Sequence, residues 1–373
     1  MTGPMSNPEA LMEAVPGPSR GGALVDALVR SVGPIVLALI TCGTLLAIIG
    51  RDPVAFYADI IQAGVLRPSG LQDSITRMAP ILLVAAGLIV AFRAGLWNLG
   101  SDGQYLLAAA MVAGTAPALL SAVPPPLGWL LLGLLGMAVG AAWTIVPAWL
   151  RARYGLNEIV TTLMMTFVGA GLANLLVKGP FDGPSTVPQT AVVDPSLLLL
   201  DLPGTRIHIG VIVALVAVAA VYGIFSRTSF GMRIDVLGAN ARAAEHLGIV
   251  VPRLIVVTFL LSGALIGLAA AVDMLGIFGY MRADWNPAYG LKVVPLVFLA
   301  RLNAVAVIPF ATFFSVLSIG GEYAARRAGL PSDFLLLIIG LVLLFMVVTH
   351  YLSDKRERGE PILPRRRLAA TRA

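Results

Sequence analysis

Apolar residues run along this chain in long, nearly unbroken stretches separated by short polar segments, without the mixed face of a soluble amphipathic helix. Stretches near the roughly 20 residues that cross a bilayer fall at about 31–50, 75–92, 104–121, 127–149, 157–177, 208–225, 254–277, 291–300, 303–321 and 332–350. The pattern predicts an all-α polytopic membrane protein of about ten transmembrane helices, the eighth being the shortest. Residues 1–24 are rich in Pro, Gly and Ser and lack a basic start followed by an apolar core, so they read as a disordered tail and not as a cleaved signal. Residues 25–350 form the transmembrane domain, and 351–373 a basic C-terminal tail.

Composition agrees. Hydrophobic residues make up 58% of the chain, charged residues 12%, and the mean hydropathy is +0.89, values foreign to an ordinary soluble domain. Of the 26 Lys and Arg residues, 17 fall in the segments that are cytoplasmic if the N-terminus is inside, and 9 in the others. The positive-inside rule then places both termini in the cytoplasm. A basic tail beside a membrane meets anionic headgroups, so the basic balance calls for the lipid bilayer and no nucleic acid as partner.

Catalytic chemistry is scarce. Cys42 is the single cysteine, and His208, His246 and His350 are far apart, so no metal site or disulfide framework is expected. No Gly-Lys-Ser/Thr phosphate loop exists, because the three lysines follow Val177, Leu291 and Asp354. No cofactor is expected on this chain, and an ATP-driven process would need ATP bound by a partner subunit.

Three polar motifs interrupt the apolar pattern. In RAGLWNLGSDGQ, residues 93–104, glycines break the helix and leave Trp97, Asn98, Asp102 and Gln104 at or inside the membrane, where irregular backbone survives only against protein or a water-filled cavity. A pathway wall and an ordinary turn whose Ser101 or Asp102 caps the next helix both fit. In RARYGLNEIVTTLMMTFVGAGLANLL, residues 151–176, Asn157 and Glu158 open a helix carrying Thr161, Phe167 and Asn174. Either a polar stripe faces a pathway, or capping and packing explain it. The third, DVLGANARAAEHLGI, residues 235–249, has Gly238 and Asn240 to break and cap, Arg242, Ala243, Ala244 and Glu245 to form a short helix, and Gly248 to end it. Its Ala243, Ala244 and Leu247 face suits a groove on a partner, with a helix lying on the lipid surface as the alternative. Gly136 to Gly140 and Gly263 to Gly267 have the small-xxx-small spacing of packed membrane helices.

Over residues 75–350 these motifs, in order and spacing, resemble the permease subunits of bacterial ABC importers, in the branch for simple sugars and nucleosides and most closely the larger nucleoside-type permease. GLWNLGSDGQ, residues 95–104, is similar to the family's G-L-[FW]-N-[IL]-G-x-[DE]-G-Q signature. GLNEIVTTLMM is similar to G-x-N-E-[IV]-x-[TV]-T-L-M, and GANARAAEHLGI to the family's coupling segment. The resemblance implies a coupling helix at about 238–249 seated on a cytoplasmic ATPase through Gly238, Asn240, Arg242, Ala243, Ala244, Glu245 and Gly248. It implies a solute pathway lined by Trp97, Asn98, Asp102, Gln104, Asn157, Thr161, Phe167 and Asn174, and residence in the bacterial inner membrane. An extracytoplasmic substrate-binding lipoprotein would dock on segments 51–72, 179–207 and 278–290, with Asp182, Asp284, Trp285 and Tyr289 among their residues. GPFDGPSTVPQTA, residues 179–191, is similar to an external loop of permeases that pair with a second, shorter permease, which points to a heterodimer. One departure stands out: Ala300 to Val305 replace the family's G-[RN]-N-[NH]-P-x-G turn, leaving the geometry there open. The rival from the residues alone is an ion-coupled secondary transporter with Asp102, Glu158 or Asp273 as proton carrier. Asp273 either lies in the pathway or pairs with Lys292.

Overall fold

A computed structural model describes residues 20–331 and 334–357, which are almost wholly helical; the described residues hold three isolated β-bridges and no strand. In chain order the helices are α1 Arg20–Ile48, α2 Pro53–Ile61, α3 Pro68–Arg93, α4 Ser101–Ala122, α5 Pro125–Tyr154, α6 Glu158–Lys178, α7 Gly210–Arg227, α8 Ser229–Ala239, α9 Ala241–His246, α10 Val251–Asp273, α11 Tyr289–Leu299, α12 Val307–Arg327 and α13 Phe334–Glu357. Single π-helical turns continue α2 (Gln62–Leu66) and α10 (Met274–Phe278).

Seven helices among the described residues are long and apolar enough to cross a membrane: α3, α4, α5, α6, α7, α10 with its π turn, and α12. The sequence pattern predicted about ten. The predicted spans at 31–50 and 291–300 correspond to shorter apolar helices, Val32–Ile48 and Tyr289–Leu299, and the last, 332–350, falls on α13, part of which lies outside the described residues. Segment 51–72, expected as a loop, is helical. Asp52 caps α2 by accepting from Val54 and Ala55 amides at 2.8 and 3.2 Å, and burial of Phe56 and Ile60 holds it in place. Most of both tails, 1–19 and 358–373, lies outside the described residues, whereas α1 and α13 extend into residues 20–24 and 351–357.

The centre is α3 and α10, with 83% and 72% of their most apolar stretches buried, against 17% for α6. Both are near-uniformly apolar, as a helix surrounded by others requires. The glycine spacings do what they predict. A Cβ on Gly136 would stand 2.5 Å from the Gly267 carbonyl oxygen, and one on Gly263 would stand 2.6 Å from Thr144, so α5 and α10 meet backbone to backbone.

At the end opposite α8 and α9, segment 179–209 is laced to residues 275–283 through backbone bonds from Thr190 to Met281, Val193 to Gly279 and Leu199 to Leu275, each 2.9 Å. His208 belongs to this cap; it accepts from the Gly210 amide at 3.0 Å, and burial pushes its pKa down to about 4, so it is neutral. At the 300–305 turn Arg301 and Leu302 both adopt left-handed φ (52° and 56°), and the Asn303 side chain accepts from Val305 and Ala306 at 2.9 and 3.1 Å to start α12. Two non-glycine residues in that region cost about 1–2 kcal/mol each, strain held in the turn that leads into α12.

Candidate functional site

The break after α3 leads the chain into the bundle. Gly95 takes φ +70°, and its Cα side lies so near α8 that a Cβ would meet Gly238 Cα at 3.3 Å. Three residues on, Asn98 is fully buried near the middle of α10. Its Nδ2 donates to Ser262 Oγ at 2.9 Å and Gln104 Oε1 at 3.2 Å, while Gln104 Nε2 donates back to Asn98 Oδ1 at 2.8 Å. Helix α4 therefore starts inside the bundle and not at its edge. Buried Asp102, in its first turn, accepts from the Gly290 amide at 2.6 Å, with the Lys292 charge in reach. Since Gly290 lies in the first turn of α11, the beginnings of α4 and α11 meet through a carboxylate that accepts an otherwise unpaired amide of α11. Asn98 to Ala strands Gln104 and Ser262, and the expected loss is about 1–3 kcal/mol, read as a lower melting temperature in detergent; an unchanged value would mean the knot contributes nothing.

A second polar cluster, which the sequence motifs did not reveal, sits about three turns further along α10. Tyr105 of α4 donates its hydroxyl to Asp273 Oδ2 at the end of α10, and both side chains are wholly buried, while Asp273 Oδ1 has no hydrogen-bond partner. Tyr289 packs edge-on against Tyr105 at 5.2 Å between centroids and accepts from Arg77 Nη1 at 3.4 Å. Arg77 also stands 5.5 Å from the Phe278 ring, which packs on Trp285 at 4.9 Å. Asp273 thus joins Tyr105, and Lys292 serves Asp102 instead. A lone acid in an apolar helix signals that a partner must exist; nothing local says which.

The α6 residues divide differently from the predicted stripe. Thr162 and Thr166 face the break, their hydroxyls 3.4 Å from the Trp97 and Leu99 carbonyls. Asn157 caps α6 by accepting from Ile159 at 2.9 Å, and Thr161 bonds back to the Asn157 and Glu158 carbonyls. Phe167 points outward at 70% exposure. Asn174 accepts from the Asp284 amide at 2.7 Å and, with the Lys178 to Asp284 pair at 2.7 Å, anchors the segment before α11. Asn157, Thr161, Phe167 and Asn174 therefore do not gather around Asn98. Trp97 does lie beside the column, packed on Phe92 and Phe298 at 5.2 and 5.6 Å. The acids of the ion-coupled reading are engaged: Asp102 with Gly290, Glu158 with Arg151 at 3.3 Å, Asp273 with Tyr105.

Segment 228–250 holds two helices where one was expected. Thr228 caps α8, and Asn240 caps α9 by accepting from Arg242 and Ala243 at 3.0 and 3.2 Å. Gly248 ends α9 at φ +77°, where the Ile249 amide reaches the Ala244 carbonyl at 3.0 Å. The elbow is braced. Arg93 grips Asp235 through two bonds of 2.8 and 2.6 Å and lies 4.1 Å over the Phe225 ring. Ala244, expected on a partner-facing surface, is instead 0% exposed and packs in a cluster with Leu254, Ile255 and Phe259 of α10. Gly238 lies against the Arg93 carbonyl, where a Cβ would not fit. Ala244 is internal because α9 is only six residues long and must bury one face on its own chain to persist. Arg242, Ala243, Glu245 and Leu247 are exposed.

Helix beginnings that converge inside the bundle, buried polar side chains along them and a braced elbow at one end sit among seven helices long and apolar enough to cross a membrane. Residues 70–347 match the family described as branched-chain amino acid transport system / permease component, and the chain belongs to it. It is an integral membrane permease subunit of the ABC transporter class. It is 32% identical to the glucose ABC transporter permease protein TsgB13 of Haloferax volcanii over 86% of this chain and 87% of the relative. The guanosine ABC transporter permease protein NupP of Bacillus subtilis is 27% identical over 74% and 81%. The nucleoside ABC transporter permease protein NupB of Lactococcus lactis is 25% identical over 88% and 93%. No solved structure matches the chain.

Proposed function

We propose that this chain forms part of the translocation pathway of an ATP-driven importer for a nucleoside or simple sugar delivered by a substrate-binding lipoprotein. ATP is bound by separate cytoplasmic ATPase subunits, a second, paralogous permease completes the pathway, and both termini face the cytoplasm of a bacterial inner membrane. The named substrates of its relatives, glucose, guanosine and nucleosides, support the solute class. The observation that carries the reading is the elbow. It exposes Met232 at 66%, Leu247 at 70% and Val250 at 66%, while its inner face is locked to α3 through Arg93 and to α10 through Ala244. An apolar helix tip rimmed by Arg242 and Glu245 fits a cleft on a soluble partner. A push on that tip travels through rigid packing into α10, which carries Ser262 and Asp273, and into α3, which leads to the break at Asn98; that is how alternating access can be driven from outside this chain.

The test is mass spectrometry of what co-purifies with the tagged chain in mild detergent. The wild type should recover an ATPase and a second permease, and Leu247→Arg should lower ATPase recovery at least fivefold while keeping the permease. A solitary chain in both samples would sink the reading.

A further inference from the structure

We infer that the cluster around Asp273 is a recognition subsite for the hydroxyls of a neutral, ring-shaped solute, with Asp273 as acceptor and Trp285 as the apolar face. The inference rests on the import reading above. A buried carboxylate that served structure alone would have both oxygens satisfied, because an unpaired one forfeits hydration without return. Here Oδ2 is held by Tyr105 and Oδ1 is left without a partner. The groups around it specify what Oδ1 would take. The Tyr289 hydroxyl stands close to the same carboxylate without closing a hydrogen bond on Oδ1, and Arg77 donates to Tyr289 at 3.4 Å. The Arg77 charge close by disfavours a metal ion or ammonium, and the carboxylate disfavours an anion. A neutral hydroxyl donor satisfies both, and phenol and guanidinium groups supply donors for ring oxygens. Trp285, 6.2 Å from Tyr105, and Phe278 offer the flat apolar surface on which the carbon face of a sugar or ribose ring packs.

Arg77, Phe278 and Trp285 are half-buried, whereas Asp273, Tyr105 and Tyr289 are buried. Trp285 rides on the segment before α11, which is held from outside by Asn174 and Lys178 through residue 284.

The experiment measures saturating initial uptake of radiolabelled guanosine and glucose, each beside its 2'-deoxy or 2-deoxy analogue, in cells carrying the complete transporter with wild-type chain, Asp273→Asn, Tyr289→Phe or Trp285→Ala. The binding protein is common to all, so its preference cancels when parent-to-deoxy ratios are compared between variants. Asp273→Asn should cut uptake of the parent solute at least tenfold and shift the ratio at least fivefold toward unity. Trp285→Ala should lower parent and analogue together, leaving the ratio in place. If Asp273→Asn fails to accumulate, Tyr289→Phe, which keeps the ring and the acid, should still shift the ratio about threefold. Unchanged ratios in folded Asp273→Asn or Tyr289→Phe overturn the subsite while import stands. Absence of any uptake that depends on the wild-type chain overturns the import reading, and the subsite with it.

Discussion

Gly267→Leu should abolish accumulation of folded protein. A Cβ at Gly267 already stands 2.7 Å from the Gly136 carbonyl carbon and 3.2 Å from Gly140 Cα, both backbone atoms of α5 that cannot rotate away. A leucine adds three carbons more, so α5 and α10 must separate along their whole contact and forfeit the dispersion that replaces the hydrophobic drive inside a bilayer. Overpacking of this kind costs about 3 kcal/mol or more, a large share of the roughly 5–15 kcal/mol by which a fold is stable. Gly267→Ala should lie between, and Gly171→Leu, on an open face of α6 with nothing within 4 Å, should behave as wild type. Size-exclusion profile and melting temperature in detergent decide it. A monodisperse Gly267→Leu protein that melts with the wild type would refute the close α5 to α10 contact.

The second large effect separates two neighbours on the elbow. Ala244→Arg forces a charge into the apolar cluster formed with Leu254, Ile255 and Phe259. The expected cost, about 3–5 kcal/mol for an uncompensated buried charge, exceeds what a six-residue helix can retain. Local unfolding follows, because the elbow can leave while the α3 to α10 core persists. Hydrogen exchange should show protection lost over residues 236–256 and kept over 80–92. Leu247→Arg, three residues along on the exposed side, should leave exchange unchanged and remove only partner binding. Native protection in Ala244→Arg would mean that Ala244 faces outward after all.

These two cases also mark what was legible beforehand. Asn240, Gly248 and Asn157 announced helix ends because caps are made of residues two to four apart, and the structure keeps each where the spacing puts it. Gly136, Gly140, Gly263 and Gly267 announced helix contacts for the same reason. The partner-facing side of α9 was misread at Ala244, since helical periodicity tells which residues share a face and not which face turns inward. The polar stripe on α6 failed likewise: Thr161 and Thr162 are adjacent in sequence, and only packing against residues 97–99 selects Thr162. Segment 51–72 looked like a loop because its apolar residues are interrupted by charges and prolines, yet burial of Phe56 and Ile60 docks α2.

By itself, then, the chain determined its solvent and its local grammar: long apolar stretches that must be helical in lipid, glycines that break or pack them, and asparagines that cap them. Those properties depend on neighbours in sequence and on hydration, which are local. Only the tertiary structure decided that Asn98 meets Ser262, that Asp102 meets Gly290 and that Asp273 meets Tyr105, pairs separated by 164, 188 and 168 residues. A buried polar group must find a partner, but which partner reaches it is set by the stacking of whole helices, to which no single stretch of sequence has access.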